Sequence, residues 1–303
     1  MIGHRKVSVI MAAGRRRYMP IITKYILEEP IVDEWQIWVN TQVPEDIEYL
    51  HKLGAEINAS RPGFVRLIEC PNENWGEVGS MGAIRAFYTP ETIDKGTIYL
   101  RVDDDIVHVH DRALRTLAQF RSDNPQYFLV TGNMVNSGLC SHLQHRMGCH
   151  QEVIPAMLAP RWSSEGGDLH WSSNMATVIH DSYLKAAEDG RLDGWRQYER
   201  WELYETPRFG IAFCSFFGRD MLEIISKWRG EDDEIFMTED WPRQAGRINC
   251  IAGKALVAHY AYGPQRKDGF EERSDLVTIQ GEKVYSKDIL NRYRKLAGIQ
   301  PSD

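Results

Sequence analysis

No run of eighteen apolar residues occurs in these 303 residues, so no segment reads as a membrane-spanning helix. Cysteine is scarce. The five cysteines, an odd number with no Cys-x-x-Cys pair, exclude a disulfide scaffold and point to reduced thiols in a cytosol-like compartment. Positive charge is also in deficit: 36 Lys and Arg stand against 43 Asp and Glu, and a net charge of -7 argues against broad electrostatic capture of nucleic acid or anionic lipid. There is no internal repeat and no low-complexity tract. The apolar stretch Val7 to Ala13 after His4-Arg5-Lys6 is too short for a secretory leader and reads better as a first β-strand. The expected setting is cytoplasmic.

What remains is an α/β rhythm. Val7 to Ala13, Trp35 to Asn40, Phe64 to Glu69, Thr97 to Val102 and Tyr127 to Thr131 read as strands, several of them apolar at consecutive positions, as in strands covered on both faces. Asp46 to Leu53, Ser80 to Tyr88 and Asp111 to Arg121 read as helices between them, the last capped by Asp111. Such alternation implies a mainly parallel sheet with ligands at the carboxyl ends of its strands. Residues 1–136 therefore form one half, and 137–209, rich in Gly, Pro and Trp, an irregular insertion and acceptor-side candidate. Residues 210–303 form a second half of the same domain. There Ile211 to Phe217 reads as a strand, Asp220 to Trp228 as a helix, and Ile248 to Ile251 with Ala255 to His259 as a hairpin about Ala-Gly-Lys. Ser286 to Ala297 reads as a basic helix closed by Gly298; its Lys287, Arg292, Arg294 and Lys295 make either a solvated face or a peripheral membrane contact.

The most informative stretch is Thr97 to Val109, TIYLRVDDDIVHV, in which a buried strand runs straight into Asp103, Asp104 and Asp105. Three neighbouring carboxylates need a counter-charge, and a hard cation such as Mg2+ or Mn2+ supplies one while leaving positions for phosphate oxygens. In an extended chain Asp103 and Asp105 share a side and Asp104 points elsewhere.

Asp103-x-Asp105 after a buried strand resembles the metal-binding Asp-x-Asp motif of glycosyltransferases with the nucleotide-diphospho-sugar (GT-A) fold. Asn74-Trp75-Gly76 with Gly79 to Ala83, then Asp232-Asp233-Glu234, Thr238-Glu239-Asp240-Trp241, Gly246 and Val257-Ala258-His259 follow the order of signals in the family of cellulose and hyaluronan synthases. The resemblance implies a Rossmann-like sheet and transfer of a sugar from a nucleoside diphosphate, with UDP favoured, to a hydroxyl of a glycan, glycolipid or glycoprotein, with inversion. It implies Asp105, Asp103 and His259 as ligands to Mn2+ or Mg2+. Ala12, Gly14, Arg15, Asp103, Asp104, His259 and Arg266 become donor contacts, and Asp240, with Glu239 as alternate, the catalytic base.

Two other readings compete. Ala12-Ala13-Gly14 and Met19-Pro20 are shared with sugar-phosphate nucleotidylyltransferases, but Arg15 to Arg17 stand where a second glycine is expected, and the Pro-Lys pair is missing. A non-catalytic carbohydrate-binding protein is the third reading, for which Trp162, Trp171, Trp195 and Trp201 are ring platforms. Cys140, His142, His145, Cys149 and His150 match no common zinc spacing and are expected to be free thiols and loop histidines.

Overall fold

In the computed structural model the described residues are 1–70, 82–150, 172–205, 207–228, 232–270, 276–279 and 282–300. A nine-stranded sheet is built from β1 Val7–Ala13, β2 Glu34–Val39, β3 Val65–Glu69, β4 Ile98–Val102, β5 Ile106–Val109, β6 Val130–Val135, β7 Arg200–Leu203, β8 Phe213–Phe217 and β9 Asn249–His259. Its order is β3-β2-β1-β4-β8-β6-β9-β5, with β7 also paired to β9. β8 is antiparallel to both β4 and β6, and β5 and β7 are antiparallel to β9, so the other six strands point one way. A mainly parallel, helix-flanked sheet is what the sequence resemblance implies, and this is one.

The directions matter for function. β1, β4 and β9 end at the same edge of the sheet, and β8 begins there. The chain leaves β1 towards β2 on one side and finds β4 on the other, the switch point at which open α/β sheets bind ligands. β1, β2 and β4 are apolar along most of their length because helices cover both faces: α1 Met19–Glu28, α2 Pro44–Ser60 and α3 Ala113–Asp123 among them. A second cluster, around Tyr18, Val107, Tyr183, Trp195 and Tyr260, is closed by α5 Ser173–Glu188 and α10 Ser286–Leu296.

Four sequence expectations need correction. The supposed hairpin is one strand: β9 runs through, and its pairing with β6 jumps from Gly132↔Ala252 to Asn133↔Leu256, a bulge that absorbs Gly253, Lys254 and Ala255. Gly253 fits because a Cβ there would lie 2.2 Å from the Tyr198 carbonyl oxygen. Asp111 does not cap α3; Arg112, with φ 53, precedes the helix and no side chain caps it. Residues 137–209 are not irregular throughout, for they contain α4 Gly138–Arg146, α5, a 3-10 turn at Leu192–Arg196 and β7. α5 escapes a hydrophobicity reading because its buried face carries Thr177, His180 and Asp181. Burial lowers the His180 pKa to about 3, so the neutral ring donates from Nε2 to the Tyr260 carbonyl at 2.8 Å and accepts the Tyr293 hydroxyl at Nδ1, 2.7 Å. The tail helix, last, is docked: Ile289 and Tyr293 are buried, and Arg292 pairs with Asp181 at 2.6 Å and Glu188 at 2.9 Å. No helix among the described residues is long and apolar enough to cross a membrane.

Close packing under the bulge gives a test. A Cβ on Gly132 would stand 2.3 Å from Phe213 Cδ1 and 2.7 Å from the Ala255 carbonyl oxygen. Gly132→Ala is expected to destabilise the fold by about 1–3 kcal/mol, read as a lowered urea midpoint with unchanged slope.

Candidate active site

The aspartates end up with three different jobs, because the chain turns sharply after β4. Asp104 is buried and faces the turn after β1, where one oxygen accepts the amides of Gly14 and Arg15, each at 2.9 Å, and the other accepts Arg15 Nε at 2.7 Å. It is a tie between the ends of β1 and β4, and its oxygens are already occupied.

Asp105 lies where β5 starts, and pairing of β5 with β9 sets it beside His259: Ile106 is opposite His259, and Tyr260 donates its amide to the Asp105 carbonyl at 2.9 Å. Its Oδ2 accepts Arg15 Nη1 at 2.9 Å and also Arg266 Nη2, while its buried Oδ1 has no hydrogen-bond partner among the described residues and stands 3.5 Å from His259 Nε2. Burial alone would raise the Asp105 carboxyl; Arg15, His259 and Arg266 outweigh it and hold the group well below the usual carboxylate range. Burial likewise lowers His259, which favours a neutral ring with a lone pair to offer.

Asp103 keeps 27 % of its side chain accessible and sits 3.5 Å from Arg101 Nε. One ligand atom each from Asp103, Asp105 and His259 lies within 4.8 Å of the others, and these residues are the one such His, Cys, Asp or Glu group among the described residues. Carboxylate and imidazole donors, with an orphaned buried carboxylate oxygen, fit a hard divalent cation. The Cys140 to His150 stretch forms no such group.

A cavity of about 450 Å3 opens here. Every expected donor-side residue lines it: Ala12, Gly14, Arg15, Asp103, Asp104, Asp105, His259 and Arg266. Arg266 arrives on a short helix, α9 Gly263–Lys267, held by the reciprocal amide pair of Gln265 and Asn136 at 2.9 Å.

The expected base residues are not there. Asp240 is exposed and Glu239 is half-buried, 3.9 Å from Arg243; neither lines the cavity. The cause is local. After α7 Asp233–Ile235 the chain makes a π turn, Phe236–Asp240, which sends Thr238 into the core and Asp240 outward before α8 Trp241–Ala245. Of the carboxylates between residues 232 and 240, Asp233 and Glu234 line the cavity. Asp233 is spent on Arg101, a buried ion pair. Glu234 accepts Arg208 Nε at 2.7 Å, yet burial, reinforced by Asp233 and Asp232, outweighs that guanidinium and pushes its pKa up to about 7. In the sequence it was only part of an acidic run. Asn74 to Gly76, Gly79 to Met81, Trp162 and Trp171 lie outside the described residues.

No family model matches the chain. No curated protein matches it. Among solved structures it is similar to a mycobacterial protein at 15 % identity, covering 99 % of this chain and 77 % of that one, with a TM-score of 0.46. A CMP:2-keto-3-deoxy-manno-octonic acid synthetase solved with CTP gives 13 % identity, 97 % and 98 % coverage and a TM-score of 0.44. Glucosyl-3-phosphoglycerate synthase from Mycobacterium tuberculosis, solved with Mn2+, uridine-diphosphate-glucose and phosphoglyceric acid, gives 14 % identity, 99 % and 82 % coverage and a TM-score of 0.40. At these scores the likenesses do not decide a reaction; the geometry of the site has to.

Two outcomes test this geometry. Asp104→Ala strands two amides and an arginine that is one-third accessible, and is expected to destabilise the protein by about 3 kcal/mol in chemical denaturation, the lower end for a broken buried pair. For Glu234 the folded pKa of about 7 exceeds the ordinary glutamate value of 4.5, so its favourable contribution is full below 4.5 and lost as pH rises through about 7. Melting temperatures of Glu234→Gln should therefore fall less than those of the parent between pH 5 and 8.

Proposed function

We propose that the protein is a divalent-metal-dependent glycosyltransferase that moves a sugar from a nucleoside diphosphate, UDP being favoured, to a hydroxyl of a glycan or glycoconjugate. The observation that carries this reading is the convergence of Asp103, Asp105 and His259 beside Arg15 and Arg266 in one cavity at the switch point of the sheet. Asp105, Asp103 and His259 would hold Mn2+ or Mg2+, and a bound ion supplies Lewis-acid stabilisation of charge developing on the departing diphosphate. Arg15 and Arg266, which share Asp105 Oδ2, are placed to exchange that carboxylate for phosphate oxygens. Ala12 and Gly14 form the floor near the end of β1.

Glu234 takes the part first assigned to Asp240. A carboxylate titrating near neutrality accepts a proton from an attacking hydroxyl far better than an ordinary one, and Arg208 fixes its orientation. An inverting reaction uses such a base on the acceptor side.

The competing nucleotidylyltransferase reading is weakened by Asp104. That chemistry needs free backbone amides in the first turn to approach a triphosphate, and here the amides of Gly14 and Arg15 are both given to Asp104.

Incubation with Mn2+ and a panel of nucleotide sugars is the test. Release of nucleoside diphosphate supports transfer; formation of nucleoside triphosphate from pyrophosphate and the sugar nucleotide would replace it with the competing reading. With a competent acceptor the rate should climb as pH rises through about 7, and Glu234→Gln should lower it about 100- to 10,000-fold and remove that limb. Full activity in Glu234→Gln would return the base to another residue.

A further inference from the structure

A second cavity, about 570 Å3, lies away from the aspartates and shares no lining residue with the first. It follows β7. Arg200 and Glu202 come from one face of that strand, Trp201 from the other, and Tyr204 from the turn that follows it. Among the described residues four large apolar side chains are exposed, and two of them, Tyr198 at 41 % and Tyr204 at 71 %, line this one groove. Trp201 is half-buried between them in sequence, its ring 6.3 Å from His142.

Leaving aromatic rings in water is unfavourable unless something stacks on them. These rings are also held in place. Glu202 accepts the hydroxyls of both Tyr127 and Tyr204, which pins the exposed Tyr204 ring. Two guanidinium groups complete the groove, Arg146 from α4 and Arg200 from β7, and neither has a hydrogen-bond or ion-pair partner among the described residues. Exposed aromatic faces with two guanidinium groups against one carboxylate, Glu202, among the described residues suit a ligand that has both flat C–H surfaces and anionic groups. A short β7 of four residues, flanked by charge, is a poor template for an added peptide strand.

We infer that this groove binds an anionic glycan, its sugar rings on Tyr198, Trp201 and Tyr204 and its carboxylate or phosphate groups on Arg146 and Arg200. This deepens the glycosyltransferase reading and rests on it for one point: the glycan is then the acceptor.

Calorimetric titration of the full chain with tetragalacturonate, and with cellotetraose as its uncharged counterpart, tests the site without any donor or metal. Tetragalacturonate should bind and cellotetraose should bind at least tenfold more weakly. Tyr204→Ala should weaken tetragalacturonate about tenfold, the scale of one lost ring contact. Arg146→Ala should bring the two sugars closer in affinity, with circular dichroism confirming that both variants fold. No binding of either sugar, equal binding of the two, or unchanged affinity in Tyr204→Ala would overturn the inference. The two readings fail separately: donor cleavage with no glycan bound removes the groove alone, and glycan bound with no donor cleaved removes the transferase alone.

Discussion

The structure depends on how it neutralises three successive carboxylates at the end of a buried strand. Like charges at that spacing repel, and in a region shielded from water the repulsion is stronger. Each aspartate therefore has its own set of cations and dipoles, with Arg15 shared by two of them: Asp103 towards Arg101, Asp104 to the first turn and Arg15, Asp105 to Arg15, Arg266 and His259. Because those partners come from β1, β4, β9 and the α9 loop, satisfying the charges also draws four parts of the chain to one edge. The same electrostatics extends through Arg101 to Asp233, and next along the chain to the Glu234 and Arg208 pair. One network thus organises both the candidate metal site and the candidate base.

Within that network the division of labour is unequal. Asp104 has no oxygen to spare, whereas Asp105 retains a buried one without a partner and Asp103 remains accessible. The residue between the two candidate ligands is the one that fixes their positions. In the sequence, the alternation of an extended chain sets Asp104 apart; the structure separates it instead by a turn at Asp104 and Asp105, closed by the Ile106 amide on the Asp103 carbonyl at 3.2 Å.

Legibility followed the physics of each segment. β1 could be read to the residue, because an uninterrupted apolar run has few other fates, and β2, β3 and β4 to within one residue at either end, whereas β6 runs on to Val135, past the expected end at Thr131. β9 was split in two because Gly253 reads as a turn, although here it serves close approach to the Tyr198 carbonyl. α5 was hidden by buried polar residues whose partners, Tyr260 and Tyr293, lie some hundred residues away. The residues expected on the donor side line one cavity because they sit at or just beyond the ends of β1, β4 and β9, which share an edge of the sheet. Asp240, the expected base, points out of the cavity and Glu234, six positions earlier, lines it, because the π turn decides which carboxylate of the acidic region faces inward. No local pattern encodes that choice.

The most direct test of the central claim is calorimetric titration of Mn2+ into the protein with saturating UDP, compared with Asp105→Asn. One ion should bind per chain in the parent, and uptake should be lost in the variant while circular dichroism shows an unchanged fold. Absence of uptake in the parent, or equal uptake in the variant, would contradict a metal centre at Asp103, Asp105 and His259.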